Sequence, residues 1–293
     1  MIKILYTVAI AMIFFGLAYH FAALHIFNAV VPKDEGSKRI AEDLAYGPIP
    51  RQKLDIYAPV HGEALKPLPV VVFVHGGSWN SGSKGPYEFV GRALAAQGFL
   101  TLVINYRLHD EKPFPGFVED TALAIDWATK HAGEYGGDPT QIFAMGHSAG
   151  AYNVVLAVLD KHYLAALGND GQAIKGVVTL SGPFDFLPLD SPTTIATFSD
   201  VSDLAATQPV NFARADAPPF LILHGSSDQT VFPRNSVALD KALRKAGAVS
   251  TLKIYDGVSH TGIMLAIAKP FRRRTTILND AAAFILSKSA PKD

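Results

Sequence analysis

Hydrophobic residues fall into two patterns along this chain, short unbroken runs and longer stretches with helical spacing. The run at residues 70–74 consists only of valine and phenylalanine, which is typical of a strand buried on both faces of a sheet. Between residues 117 and 131 the apolar side chains recur every three or four positions, which indicates an amphipathic helix. The two patterns alternate through most of the chain.

Short runs of β-forming residues, alternating with polar ones in the first two, predict eight strands, which lie at residues 40–46, 53–57, 70–74, 99–104, 141–145, 176–180, 220–223 and 251–255. The helical stretches predict five helices, which lie at residues 87–97, 117–131, 149–160, 234–246 and 271–287. This alternation predicts an α/β fold with a mostly parallel sheet of about eight strands flanked by helices. We expect the first two strands to open the sheet as an antiparallel pair.

The first 31 residues form a separate apolar segment. Residues 4–19 are continuously apolar or weakly polar and follow Lys3, so we favour an uncleaved membrane anchor over a cleaved signal peptide or a buried helix. Residues 32–38 are typical of a polar linker, and residues 39–293 are expected to form one domain. The predicted location is membrane-anchored or exported, on the periplasmic or another extracytoplasmic side.

Two stretches within that domain interrupt the regular pattern. Prolines recur through residues 183–219, which predicts a small cap inserted over the site, although a surface loop has the same composition. Arg272, Arg273 and Arg274 occur on the last predicted helix. They indicate a solvated helix face, with contact to anionic lipid as the alternative.

Composition excludes several classes of function. The chain carries 26 basic and 26 acidic residues, so it has no overall positive field, and we expect no nucleic-acid partner. It has no cysteine, which excludes disulfides, a thiol nucleophile and cysteine-bound zinc. No histidine spacing indicates a metal site, and the oligomeric state stays open.

The chemistry is indicated first by a glycine-flanked serine. Gly146, Ser148 and Gly150 form a Gly-x-Ser-x-Gly pattern between a predicted strand and a predicted helix, which is the setting of a nucleophile elbow. The turn there is so tight that side chains at the two glycines would collide with neighbouring strands or the following helix. His147 lies within the motif and is a candidate for substrate contact, with structural hydrogen bonding as the alternative.

A second motif, His-Gly-Gly-Ser-Trp at residues 75–79, follows the buried strand at residues 70–74. Backbone N–H groups of Gly77 and Ser78, together with that of Ala149, are expected to form an oxyanion hole. Trp79 is predicted either to line the acyl pocket and contact the substrate or to cover the loop.

Two further residues complete a predicted catalytic triad. Asp228 follows a late strand, and His260 lies in the loop after the last strand, so the chain order is serine, aspartate, histidine. We predict Ser148 as nucleophile, His260 as base and Asp228 as the acid that orients the histidine. Asp185 and Asp256 are the alternative acids.

Together these motifs resemble α/β-hydrolase carboxylesterases, over roughly residues 44–287. The segment at residues 46–59 is similar to the opening strands of that family. The His-Gly-Gly-x-Trp motif is most similar to the branch that contains arylformamidases and bacterial feruloyl and acetyl esterases. Ser78 stands where esterases of the hormone-sensitive-lipase type have a third glycine, which makes bulky ester substrates less expected.

The resemblance implies hydrolysis of small or aromatic carboxylic esters through an acyl-enzyme, without a cofactor. Hydrolysis of an amide, as by an arylformamidase or a peptidase, is the alternative reaction. A catalytically silent hydrolase fold that serves as a binding module on the membrane is the alternative from another class. Small-molecule esters or amides, and the membrane through the N-terminal segment, are the expected partners.

Overall fold

A computed structural model describes residues 24–60 and 66–289, and its centre is a single eight-stranded sheet. All eight predicted strands are present. They are β1 (Ser37–Ala45), β2 (Lys53–Pro59), β3 (Leu68–Val74), β4 (Leu100–Ile104), β5 (Gly137–His147), β6 (Ile174–Leu180), β7 (Phe220–Gly225) and β8 (Ser250–Tyr255).

Eight α-helices flank this sheet in the described part of the chain after residue 60, and they include the five that the sequence predicts. They are α1 (Glu88–Ala95), α2 (Gly116–His131), α3 (Ala149–Leu159), α4 (His162–Ala165), α5 (Pro192–Phe198), α6 (Arg234–Ala246), α7 (Gly262–Leu265) and α8 (Ile277–Ser289). The prediction placed the start of the last helix at residue 271, and this was wrong. Residues 272–274 form a short 3₁₀ turn, and the helix begins at Ile277.

The strands are arranged in the order β1-β2-β4-β3-β5-β6-β7-β8. Strand β2 is antiparallel to both β1 and β4. All pairs from β4 onward in this order, β4–β3, β3–β5, β5–β6, β6–β7 and β7–β8, are parallel, so the sheet is mostly parallel and opens with an antiparallel pair, as predicted. Because parallel strands end at the same edge of a sheet, the loops after β3, β5, β7 and β8 meet there. This carboxyl edge carries every residue that the sequence assigned to the catalytic site.

Two apolar layers cover the two faces of the sheet. Helices α2, α3 and α6 contribute to one core cluster, with side chains such as Ile125, Val155 and Leu239 fully buried. Helices α1 and α8 contribute to the other cluster. The run at residues 70–74 supplies both layers alternately, which explains why it is apolar at every position.

The N-terminal helical segment, residues 24–30, packs against the second of these layers. The Phe27 ring contacts Phe89 edge-on, with 5.3 Å between centroids, and lies 6.0 Å from the Phe271 ring. Val31 is buried in the same cluster. The end of the predicted anchor at residues 1–31 therefore packs against the domain, whereas residues 1–23 lie outside the described residues. Within the described ranges, no helix is long and apolar enough to cross a membrane.

Residues of the predicted linker at 32–38 also make specific contacts. Asp34 is buried and accepts two hydrogen bonds of 2.8 Å from the Arg272 guanidinium. Ser37 Oγ accepts a hydrogen bond from Arg92 Nε. Arg272 was predicted on a solvated face, and this was wrong because its side chain is partly buried and binds Asp34. Arg273 and Arg274 are exposed.

The proline-rich stretch at residues 183–219 contains helix α5 and two 3₁₀ turns, at Leu204–Thr207 and Pro209–Phe212. Phe198 of α5 is fully buried against the rings of Trp79 and Phe117, with centroid distances of 5.0 Å and 6.2 Å. The stretch therefore covers the loop that follows β3.

Candidate active site

The elbow at Ser148 has the strained geometry that the motif predicts. Ser148 connects β5 to α3 with φ 54° and ψ −123°, a backbone conformation that costs free energy and that the surrounding packing must hold in place. A Cβ on Gly150 would lie 2.2 Å from the Val74 carbonyl oxygen, and one on Gly146 would lie 2.4 Å from the Gly150 carbonyl oxygen. The two glycines are therefore required by neighbouring backbone, as the sequence indicated.

The three residues of the predicted triad lie within hydrogen-bond distance of one another. His260 Nε2 is 3.0 Å from Ser148 Oγ, and His260 Nδ1 is 2.8 Å from Asp228 Oδ2. Since a carboxylate only accepts, Nδ1 carries the proton, and Nε2 has a lone pair directed at the serine hydroxyl. The arrangement can remove a proton from Ser148 as its oxygen attacks a carbonyl carbon.

The Asp228 carboxylate is buried and surrounded by donors. Its Oδ1 accepts hydrogen bonds from the backbone N–H groups of Thr230 and Val231, at 3.0 Å and 2.9 Å. Burial alone would raise its pKa, but hydrogen bonds from His224 and His260 hold the pKa of Asp228 well below its usual range. Asp228 is therefore a stable anion that can balance a positive charge on His260.

His224 supports this carboxylate, a role that was not predicted from the sequence. Its Nε2 lies 2.8 Å from the Val231 carbonyl oxygen, which can only accept, so Nε2 carries a proton. The same nitrogen is 3.3 Å from Asp228 Oδ2, and Nδ1 is 2.7 Å from Ser236 Oγ. The four-residue spacing to Asp228, at the end of strand β7, was the available signal.

The predicted oxyanion loop has an unusual backbone. Gly77, Ser78 and Trp79 have φ values of 129°, 55° and 60° in succession. The Gly77 carbonyl accepts hydrogen bonds from the N–H and Oγ–H of Ser81, and a Cβ on Gly77 would lie 2.1 Å from the Ser81 carbonyl oxygen. Among the described residues, no acceptor binds the N–H groups of Gly77, Ser78 or Ala149. These three donors are available to a ligand at the amino end of α3, where the helix dipole also favours negative charge.

A buried ion pair holds the far end of the same loop. Lys84 Nζ lies 2.6 Å from Asp55 Oδ1 and 2.7 Å from Asp43 Oδ1, and the Asp55 side chain is fully buried. The Lys84 N–H donates to Asn105 Oδ1, and the Arg51 guanidinium donates to the Gly82 carbonyl. The loop is thus held by Asp55 on strand β2, by Asp43 on strand β1 and by Asn105, which follows strand β4.

Trp79 and His147, the two predicted substrate contacts, are both buried. Trp79 is 3% exposed and donates from Nε1 to Asn153 Oδ1 at 3.0 Å, so its ring covers the loop. His147 Nε2 lies 3.2 Å from the His260 carbonyl oxygen, and the two histidine rings are 4.9 Å apart. Burial, together with the neighbouring His260, lowers the pKa of His147 to about 3, so this ring is neutral.

The two alternative acids do not contact His260. Asp185 is exposed and lines a surface cleft with Leu187, Pro188, Asp190 and Arg234. Asp256 is exposed and accepts a hydrogen bond from Ser226 Oγ at 3.1 Å. In the part of the chain that the structure describes, no group of three or more histidine, aspartate or glutamate side chains is placed to hold a metal ion.

Comparison with known proteins places this chain in a family. The family model of BD-FAE matches residues 54–243, from strand β2 to helix α6. The chain belongs to the BD-FAE family. A probable isoprenylcysteine alpha-carbonyl methylesterase, ICMEL1 of Oryza sativa subsp. japonica, is 31% identical over 275 residues, covering 84% of this chain and 63% of the relative. Esterase LipC of Mycobacterium tuberculosis is 34% identical over 204 residues, covering 62% of this chain and 50% of the relative. The BD-FAE chain thus spans between half and two thirds of the length of these relatives.

Solved structures show the α/β-hydrolase fold for this member of the BD-FAE family. Esterase 2 of Thermogutta terrifontis matches with a TM-score of 0.71 at 23% identity, over 89% of this chain and 98% of that one. An inhibited esterase B of Lactobacillus rhamnosis matches with a TM-score of 0.84 at 19% identity, over 96% and 95%. The predicted fold class is confirmed.

Proposed function

We propose that this chain is a serine hydrolase that cleaves carboxylic esters through an acyl-enzyme. The observation that carries the proposal is the contact of His260 with both Ser148 and Asp228, at 3.0 Å and 2.8 Å. The esterase names of its relatives support the same reaction class. In this mechanism Ser148 Oγ attacks the ester carbonyl carbon while His260 Nε2 takes its proton.

The tetrahedral intermediate then expels the alcohol, which takes the proton from His260. Water repeats the sequence on the acyl-enzyme, so that the acid leaves and Ser148 is restored. The N–H groups of Gly77, Ser78 and Ala149 stabilise the oxyanion in both steps. Because the loop conformation is already set by its positive φ values, these donors need little reorganisation during the reaction.

The proposed substrates are esters with small or aromatic groups. The rings of Trp79, Tyr152 and the cap residue Phe198 pack together where the cap meets the oxyanion loop, with centroids 5.0 to 5.6 Å apart. All three side chains are buried. This packing supports small acyl groups over long ones, and it agrees with Ser78 in place of a third glycine.

The test is turnover of p-nitrophenyl esters of rising acyl length, with an arylformamide and a peptide amide alongside. The wild-type chain should hydrolyse the short esters and react with a fluorophosphonate probe. Ser148→Ala should abolish labelling and lower turnover by several orders of magnitude, leaving roughly 10³–10⁴-fold acceleration over water from the oxyanion donors.

The matched control is Ser259→Ala, which removes an exposed hydroxyl one residue before His260 and should keep both labelling and turnover. Faster turnover of the amides than of the esters would instead assign an amide hydrolase. A wild-type chain that neither labels nor turns over any substrate would indicate a binding module and refute the proposal.

We also propose that the apolar N-terminal stretch holds the domain at a membrane, on the extracytoplasmic side. The sequence of residues 4–19 supports this, since it is continuously apolar or weakly polar. Residues 24–31 pack on the domain, so the residues before them are the ones proposed to enter the bilayer. Retention of the full chain in a carbonate-washed membrane fraction, with the domain open to external protease in spheroplasts, is the expected result.

A further inference from the structure

We propose that the N-terminal helical segment, together with residues 269–274, forms a lipid-contacting face that lays the carboxyl edge of the sheet against an anionic bilayer surface. The two elements touch through the rings of Phe27 and Phe271. Two large apolar side chains of the segment stay exposed, Ile26 at 63% and Val30 at 73%. Exposed apolar groups beside cations are the composition of a surface that binds at the lipid interface.

The position of this face follows from the strand directions. Asn28 Oδ1 accepts a hydrogen bond from the Phe89 N–H in the first turn of α1, and Asn28 Nδ2 donates to the Gly85 carbonyl. Helix α1 returns from the carboxyl end of β3, so its first turn lies at the carboxyl edge of the sheet. Phe271 precedes α8, whose first-turn Asp280 accepts a hydrogen bond from Tyr255 Oη at the carboxyl end of β8. The contact of the segment with α1 and the start of α8 therefore share the edge of Ser148, whereas the Arg272–Asp34 pair lies toward the start of β1.

The charges on this face favour anionic lipid. Arg273 and Arg274 are exposed, and neither forms an ion pair with a described residue. Lys269 pairs with Glu35 at 3.4 Å, and Arg272 pairs with Asp34, so these four charges cancel. Lys33 donates from Nζ to the backbone carbonyl groups of Asn28 and Val31, so it adds a third cation to Arg273 and Arg274 beside the two exposed apolar side chains. The apolar sequence at residues 4–19 leads into the same segment, which supports a bilayer as the occupant.

The absence of cysteine allows a direct test on the full chain. Val30→Cys carries an environment-sensitive fluorophore on the proposed face. Val249→Cys is the matched control, because this valine is 59% exposed and immediately precedes β8, at the opposite edge of the sheet. Each labelled chain is reconstituted into phosphatidylcholine vesicles that contain phosphatidylglycerol, with and without doxyl-labelled lipid.

We expect doxyl lipid to quench the fluorescence of the label at position 30 and to leave the fluorescence of the label at position 249 unchanged. Arg273→Gln with Arg274→Gln should lower the equilibrium constant for surface contact roughly 30-fold, read as lost quenching at position 30. Lys241→Gln with Lys245→Gln removes the same charge from exposed positions on α6 and should change nothing.

Equal quenching at both positions, stronger quenching at position 249, or no binding to the vesicles would each overturn the proposal. If the substitution of Arg273 and Arg274 leaves the quenching at position 30 unchanged, the proposed preference for anionic lipid would be overturned. None of these readouts requires ester hydrolysis, so a failure of the proposed esterase activity would not alter the result.

Discussion

Replacing Asp228 with asparagine tests the proposed triad most sharply. The amide keeps the shape and one acceptor oxygen, which can still bind the two backbone N–H groups. Its NH₂ group, however, would face the protonated Nδ1 of His260, so the imidazole must move its proton to Nε2 to regain a partner. The nitrogen that faces Ser148 then carries a proton and cannot accept another.

The expected loss is large because the base is removed, although its side chain remains. The same change in a serine protease lowers kcat about 10⁴-fold, which corresponds to about 5 kcal/mol in the activation free energy. We expect Asp228→Asn to lower kcat/KM for p-nitrophenyl acetate by a similar factor and to slow fluorophosphonate labelling in parallel. Initial rates and a thermal melt on the same preparation separate lost chemistry from lost folding.

Asp185→Asn and Asp256→Asn are the matched controls, since both carboxylates are exposed and neither contacts His260. Each should keep wild-type rates within about twofold. The reasoning would be refuted if Asp228→Asn, while folded, kept more than about a tenth of the wild-type kcat/KM. It would also be refuted if either control lost more activity than Asp228→Asn.

Three further predictions concern stability. Gly150→Ala should prevent folding, because its Cβ would lie within 2.4 Å of two backbone oxygens, whereas Gly133→Ala has open space and should express normally; soluble yield and circular dichroism would show any reversal. Burial lowers the pKa values of His75 and His147 to about 3, below the unfolded value of 6.5, so the unfolded chain binds more protons between those pH values. The free energy of unfolding should therefore be fully retained above pH 6.5 and should fall by about 1.4 kcal/mol per pH unit for each histidine as the pH drops; urea titrations that gave a flat profile would contradict this. Asp55→Ala should lower the free energy of unfolding by about 3 kcal/mol, the low end for breaking a buried pair, since the buried Lys84 keeps only the exposed carboxylate of Asp43 as a partner; a change below about 1 kcal/mol in a urea titration would contradict the ion-pair argument.

The sheet and the placement of the site could be predicted because both follow from local patterns. Unbroken β-branched runs mark buried strands, and strand direction brings the residues that follow β5, β7 and β8 to one edge. The glycines beside Ser148 were informative because backbone contacts exclude any side chain there. The strand runs and the glycine-flanked serine each depend on a few neighbouring residues, so they can be recognised in the sequence before the fold is known.

Contacts between distant parts of the chain could not be predicted in the same way. Arg272 pairs with Asp34 across 238 positions, and no local pattern distinguishes it from Arg273, which is exposed. That pair and the Phe27–Phe271 contact accompany a 3₁₀ turn at residues 272–274, which delays the start of α8. The support of Asp228 by His224 likewise depends on a carbonyl seven residues beyond the histidine.

The order of the strands has a consequence for synthesis on the ribosome. Ser148 follows the central strand β5, whereas His260 follows the last strand of the sheet, so the chain acquires its serine long before its base. A nascent chain that has not yet exposed residue 260 has an elbow without a proton acceptor, whatever part of the sheet has formed. Parallel strands must also wait for sequence-distant partners and therefore pair slowly. In the proposed mechanism, hydrolysis would therefore begin only late in folding, and translation products that end before residue 260 would be inactive.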